Sequence, residues 1–227
     1  MNFLMQIAAR SAHAVIPAKA GIQIEEATIV RHLGLAEYVP TYQAMRRFTE
    51  DRNATTPDEL WVLEHPPVYT VGMAGREKHF PGESAIPLER IDRGGQITYH
   101  GPGQAIVYVL VDLARRGLTV RGMVSLIEQA VIEVLGAHRV GTGRRKGAPG
   151  VYVDGAKIAA LGLRVRRGCC YHGVALNVDM DLAPFSAIDP CGYPGLAVTQ
   201  TRAHGVVAGA EEMGGELARR IARLIDK

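Results

Sequence analysis

Residues 93–112 read Arg93-Gly94-Gly95-Gln96-Ile97-Thr98-Tyr99-His100-Gly101-Pro102-Gly103-Gln104-Ala105-Ile106-Val107-Tyr108-Val109-Leu110-Val111-Asp112. In the first part, up to Gln104, four glycines and a proline surround an arginine, a histidine, a tyrosine and two glutamines, so the apolar period of a packed helix is absent. Its glycines let backbone amides come close to a ligand. The second part, 105–112, is rich in β-branched and apolar residues and is predicted as a buried strand. A polar, Gly-rich loop held by a buried strand is a pocket-forming arrangement.

Upstream, Thr28 to Gly34 reads as a first strand, and Tyr38 to Arg52 as an amphipathic helix with Tyr38, Tyr42, Met45 and Phe48 at helical spacing. Asp58 to Glu64 is a strand ended by His65-Pro66-Pro67, with Val68 to Val71 extended beyond it. Residues 72–82 form a loop, and Leu88 to Asp92 leads into the opening stretch. Downstream, Thr119 caps a helix reaching His138, whose apolar stripe is Val120, Met123, Val124, Ile127, Val131, Val134 and Leu135. A basic loop spans 141–150. Strands follow over 151–153, 156–165 and 171–177, the first two joined by the hairpin signal Asp154-Gly155. A short helix over 182–188 and a last helix over 210–226 complete the pattern, which predicts one α/β domain over about 28–227. Residues 1–27 lack a positive region ahead of their short apolar start, and read as a loosely ordered N-terminal extension without chemistry.

At 227 residues and 47% hydrophobic content the chain can bury an ample core. No apolar run approaches the ~18 residues of a membrane span, which predicts a soluble protein with no membrane partner. A net charge of +3, without an aromatic-interleaved basic motif, gives no argument for nucleic acid. Basic residues do cluster at Arg139, Arg144, Arg145 and Lys146, and at Arg164, Arg166 and Arg167. They form either solvated surface or a docking patch for an acidic protein. An odd number of cysteines, Cys169, Cys170 and Cys191, suits a reducing cytoplasm, and with His172 they lack the spacing of a metal site.

Neither Gly-x-Ser-x-Gly nor a P-loop is present, and Gly101-Pro102-Gly103 has no helix after it, against a dinucleotide site. Cysteine chemistry remains, since a thiolate beside a cation is a strong nucleophile. Cys191 sits in a tight Pro190-Cys191-Gly192 turn, while Cys169 and Cys170 begin a strand that buries one of them; spacing alone does not separate the three. Lys157 lies in an apolar run, 156–163. It is either a strand lysine pointing to solvent or a desolvated one that pairs with a thiolate or shuttles a proton. His100 and His172 each stand between an aromatic residue and a glycine; the loop position of His100 favours a pocket wall.

The stretch 93–104 resembles the signature of the lipoyl(octanoyl) transferase family. Lys157 to Gly168, His172-Gly173-Val174-Ala175-Leu176-Asn177 and Pro190-Cys191-Gly192 resemble its later blocks, and Leu60 to Tyr69 its upstream strand and turn. The resemblance covers about 28–227. It implies an α/β fold like that of biotin and lipoate protein ligases: a larger mixed sheet, a smaller sheet and flanking helices. It implies Cys191 as the acyl carrier and Lys157 as its activating partner. Substrate contacts carry over to Arg93, Gly94, Gly95, Gln96, Ile97, Thr98, Tyr99 and His100, to Ala160, Leu161 and Gly162, and to Gly173, Val174 and Ala175. Ile158, Leu161, Val174 and Leu176 are candidates to line an acyl tunnel. The implied reaction moves octanoyl from octanoyl-acyl carrier protein, through a cysteine thioester, to a lysine of lipoyl domains. The acceptors are the E2 subunits of 2-oxoacid dehydrogenases and the glycine cleavage H protein, in the first step of endogenous protein lipoylation. No cofactor, metal or ATP is implied, nor a nucleic-acid partner; the expected enzyme is a cytoplasmic monomer whose basic clusters, Arg144 and Arg145 among them, dock the acidic carrier.

Overall fold

The computed structural model describes residues 27–189 and 195–227. The proposed extension, apart from Ala27, therefore lies outside the described residues, and so does Cys191. Strands β1 (Ile29–Leu35), β2 (Glu59–Glu64), β6 (Gln104–Asp112), β10 (Cys169–Asn177), β9 (Ala156–Arg166), β8 (Ala148–Val153) and β7 (Gly143–Arg145) form one sheet in that spatial order. Only β1 and β2 run parallel in it. A second sheet has β3 (Val68–Val71) between β4 (Leu88–Arg90) and β5 (Ile97–His100).

Both faces of the large sheet are covered, which explains why β6 reads as an unbroken apolar run. Val107, Val109 and Val111 pack with helices α2 (Val120–Ala137) and α3 (Ala210–Ile225), through Met123, Ile127, Val131, Met213, Leu217 and Ile221. Ile106, Tyr108 and Leu110 point the other way, towards Met45 of α1 (Tyr38–Glu50). The small sheet has its own core, in which Tyr69, Val71, Ile97 and Tyr99 meet Met180, Phe185 and Ile188.

Local signals explain the joints. Thr119 accepts a hydrogen bond from the Gly122 amide at 3.0 Å and caps α2, although Val120 stands 45% exposed, outside the buried stripe. Asp154-Gly155 and Arg167-Gly168 have positive φ at both residues, the backbone that two-residue hairpin turns demand. The expected loop over 141–150 instead contains β7 and the start of β8. These edge segments carry arginine and glycine in place of apolar alternation, so periodicity missed them. The β5–β6 turn is locked: the Gly103 amide donates to Glu64 Oε2 at 2.6 Å, while Gly103 (φ +83°) leaves no room for a Cβ against the Asp179 carbonyl.

Candidate active site

A cavity lies between the β9–β10 seam and the small sheet. Paired residues on the seam, Gly162 with Gly173, Leu161 with Val174 and Ala160 with Ala175, form one wall. Arg93, Gly95, Gln96, Ile97, Thr98 and His100 form the facing wall, and Lys157 also lines the cavity. Backbone bonds hold that wall in place: Gly72 to the Gln96 carbonyl, Met73 to that of Arg93, and Gly94 to that of Leu163. Two residues expected at the substrate, Gly94 and Tyr99, are not among those that line this cavity. Gly94 is the stitch between loop and β9, and Tyr99 packs between Tyr69 and Phe185 in the core of the small sheet. Of the four tunnel candidates, Leu161 and Val174 line the cavity. Ile158 and Leu176 are fully buried in the core under α2 and α3.

Lys157 is 3% exposed, which settles its orientation against the solvent-facing alternative. The cause is a bulge. Pairing runs Val151 with Ala159 but Tyr152 with Lys157, so β9 carries one extra residue at Ile158. Ile158 and Ala159 then both enter the helical core, while Lys157 turns to the cavity. Lys157 Nζ donates to the Pro149 carbonyl at 3.1 Å and lies 5.2 Å from the centre of the Tyr152 ring. Its own backbone bonds Ala197 and Thr199 at 2.8 and 3.0 Å, pinning the chain just after the undescribed 190–194. Just before it, the Asp189 carboxylate meets His79 Nδ1 at 2.7 Å.

A directed hydrogen-bond chain crosses behind the cavity. Arg93 donates to the Thr70 hydroxyl at 3.0 Å, and Thr70 donates to His100 Nε2 at 3.3 Å. His100 Nδ1–H donates to Gln104 Oε1 at 2.7 Å, and the Gln104 amide donates to Asn177 Oδ1 at 2.9 Å. Asn177 donates to the Thr199 carbonyl at 2.9 Å, beside Lys157. This chain needs a neutral imidazole. Burial above all, with His65 nearby, lowers the His100 pKa to about 3. His65, held between the Ala36 carbonyl and the Tyr108 hydroxyl, is lowered by burial to about 4.

These two histidines predict acid sensitivity. Below pH 6.5 the unfolded chain takes up protons that the folded protein refuses until about pH 4 for His65 and about 3 for His100. Stability therefore falls as pH drops from 6.5 towards 4, and the histidines contribute no slope above that window. The loss expected by pH 4 is on the order of 3 kcal/mol per histidine. Urea midpoints measured from pH 7.5 to 4.5 check this; a flat profile would refute it.

At the other end of the seam, His172 has φ +63° in mid-strand, a strained backbone for a residue with a side chain. It is held by Asp92 at 3.2 Å and stacks on Tyr42. Burial pushes the Asp92 carboxyl up, but hydrogen bonds from His172, Tyr171 and Tyr42 outweigh it and hold the carboxyl well below the usual carboxylate range. His172 joins Tyr38, Ile106, Tyr108, Asn177, Phe185 and Val198 as cavity residues that sequence reading did not place there. Asn177 and His172 carried a signal, as polar residues inside a strand that is otherwise apolar and fully buried.

Neither described thiol reaches the cavity. Cys170 Sγ contacts the Val109 carbonyl at 3.4 Å and burial pushes its pKa up to about 12; Cys169 is also raised by burial. Among the described residues no group of three or more His, Cys, Asp or Glu is arranged to hold a metal ion, and no helix is long and apolar enough to cross a membrane. Arg144 is not a free surface charge: it bonds Glu128 at 3.0 Å, the Ser125 carbonyl and Gln129. Reversing its charge would break an internal anchor, so the Arg144/Arg145 pair is a poor probe of carrier docking.

A seven-stranded mixed sheet carrying a three-stranded second sheet, with helices packed on it, is the fold of the lipoate and biotin protein ligase class. Residues 38–213 match the Lipoyl protein ligase A/B catalytic domain. The bi-partite lipoate protein ligase of Thermoplasma acidophilum superimposes with a TM-score of 0.68 at 17% identity, over 87% of this chain and 84% of that one, a likeness of fold alone. Sequence likeness goes further. Octanoyltransferases of Aromatoleum aromaticum and Thiobacillus denitrificans are 58% and 57% identical, over 88% and 90% of this chain and 86% and 94% of theirs. The chain belongs to the octanoyltransferase family.

Proposed function

We propose that this octanoyltransferase takes octanoyl from octanoyl-acyl carrier protein and delivers it to a specific lysine of lipoyl domains, through a thioester on Cys191. The thiolate of Cys191 attacks the donor thioester carbonyl, the carrier thiol leaves, and the acceptor ε-amine then displaces Cys191 to form an amide. Lys157, as an ammonium, balances the thiolate charge and gives its proton to the departing carrier sulfur; as the neutral amine it then takes the proton that the attacking acceptor amine gives up. Backbone amides near the cysteine or in the Gly-rich loops hold the developing oxyanion. Thioester to amide is downhill, so the reaction runs without ATP. The acyl chain lies along Leu161 and Val174, and residues 28–227 form the catalytic unit. Arg93, Gly95, Gln96, Ile97, Thr98, His100, Ala160, Gly162, Gly173 and Ala175 are the remaining substrate contacts.

The observation that carries this reading is Lys157: a buried lysine on the cavity wall, backbone-bonded to Ala197 and Thr199, a few residues after Cys191 in the sequence. The test is transfer to an E2 lipoyl domain or a glycine cleavage H protein from octanoyl-acyl carrier protein, with no nucleotide present. Octanoylated acceptor is the expected product. An absolute need for ATP, with free octanoate as donor, would replace this reading by that of a ligase.

A further inference from the structure

Glu128 is a carboxylate of α2 that is not itself among the cavity-lining residues and is only 7% exposed. A buried carboxylate needs partners, and it has two. Its Oε2 accepts from Arg144 Nε at 3.0 Å, and its Oε1 accepts from the Gly150 amide at 2.9 Å. The carbonyl of that same peptide unit, Pro149–Gly150, accepts from Lys157 Nζ at 3.1 Å. In a trans peptide the N–H and C=O point to opposite sides, so the unit stands between carboxylate and lysine with one hydrogen bond on each flank. Gly150 makes the approach possible. Its φ is +136°, and a Cβ there would come within 2.8 Å of the Ala159 carbonyl and 3.1 Å of Lys157 Cε.

We infer that Glu128 is a positioning residue for Lys157, acting through the Pro149–Gly150 peptide that it anchors to α2. Arg144 matters in turn, because it ties Glu128 to the Ser125 carbonyl and Gln129 and fixes where the carboxylate points. The charge of Glu128 is balanced by Arg144, so what reaches the lysine is geometry: the place of one carbonyl oxygen. An acceptor of the same reach therefore suffices at position 128. This inference rests on Lys157 being the working lysine.

The experiment uses the full chain and two readouts. In the first, Glu128→Ala slows formation of the octanoyl-enzyme by about 10- to 100-fold, the scale of an ångström-level misplacement. Glu128→Gln, which keeps an acceptor for the Gly150 amide, stays within about threefold. The KM for the carrier is unchanged in both. In the second, acetic anhydride labels Lys157 faster in Glu128→Ala than in the unaltered or Gln forms, read by peptide mass against the exposed Lys146. This readout needs no octanoyl transfer, so it stands even if the proposed reaction is wrong. Arg144→Gln, a change at a half-exposed side chain, serves if Glu128→Ala does not fold; it shifts both readouts in the same direction by a few-fold. Wild-type rates of labelling and acylation in Glu128→Ala, or in Arg144→Gln where that variant stands in, would overturn the inference. So would a Gln variant as slow as Ala.

Discussion

Lys157→Met lowers the rate of octanoyl-enzyme formation by about 10²–10⁴-fold, the usual contribution of a positioned proton-transfer group, while the protein stays folded. Methionine keeps the unbranched stem and fills the space above Gly150 and Tyr152. What is lost is the ammonium, and with it the donor to the Pro149 carbonyl. Losing that hydrogen bond costs on the order of 1 kcal/mol, so a lowered melting temperature accompanies the kinetic defect without causing it. Single-turnover acylation measured well below the melting transition separates the two effects. A rate within about threefold of the unaltered enzyme would remove Lys157 from the chemistry.

Cys191→Ala has the larger effect. Deleting a nucleophile that forms a covalent intermediate costs on the order of 10³-fold or more, and here it also removes the species to be observed. Intact mass after mixing with octanoyl-acyl carrier protein shows one added octanoyl on the unaltered chain and none on Cys191→Ala. Cys169→Ala and Cys170→Ala keep the adduct. Both of those thiols are held protonated by burial, and Cys170 packs against β6. Serine at Cys170 destabilises the sheet, because it puts a hydroxyl where a thiol sits fully buried among Val109, Val111 and Val174. An adduct on Cys191→Ala would refute the covalent scheme.

The strands and helices were legible wherever one physical signal dominated. Thr119 announced a cap, Asp154-Gly155 a hairpin, and β6 a strand covered on both faces. The cavity was legible in outline, because its glycines and small residues stand out on the seam. Its details depended on contacts between distant segments. Tyr99 and His100 are neighbours in β5, yet strand alternation sends one into the small core and the other to the cavity. Gly94 bonds the Leu163 carbonyl, whereas its neighbour Gly95 has φ +86° and lines the cavity. Tyr38 reads as an ordinary apolar position of an amphipathic helix, and only packing brings it beside His65 and His100. Arg144 reads as one more surface cation; its partner Glu128 lies a helix away.

The bulge in β9 makes the identity of the inward-facing residue a matter of chain counting. Between the Asp154-Gly155 turn and Ala159 the strand holds one residue more than its neighbour, and that surplus decides which side chain meets the cavity. Straightening the bulge into a regular two-residue rhythm, with every residue kept, exchanges the faces of the segment before Ala159. Lys157 would then share the side of Ala159, among Val151, Val153 and Ile127 in the helical layer. By the same count, a frame-preserving loss of Ile158 itself takes out the surplus residue and leaves the lysine on the cavity side, and a loss at the Lys146–Gly147 turn leaves the phase of β9 untouched.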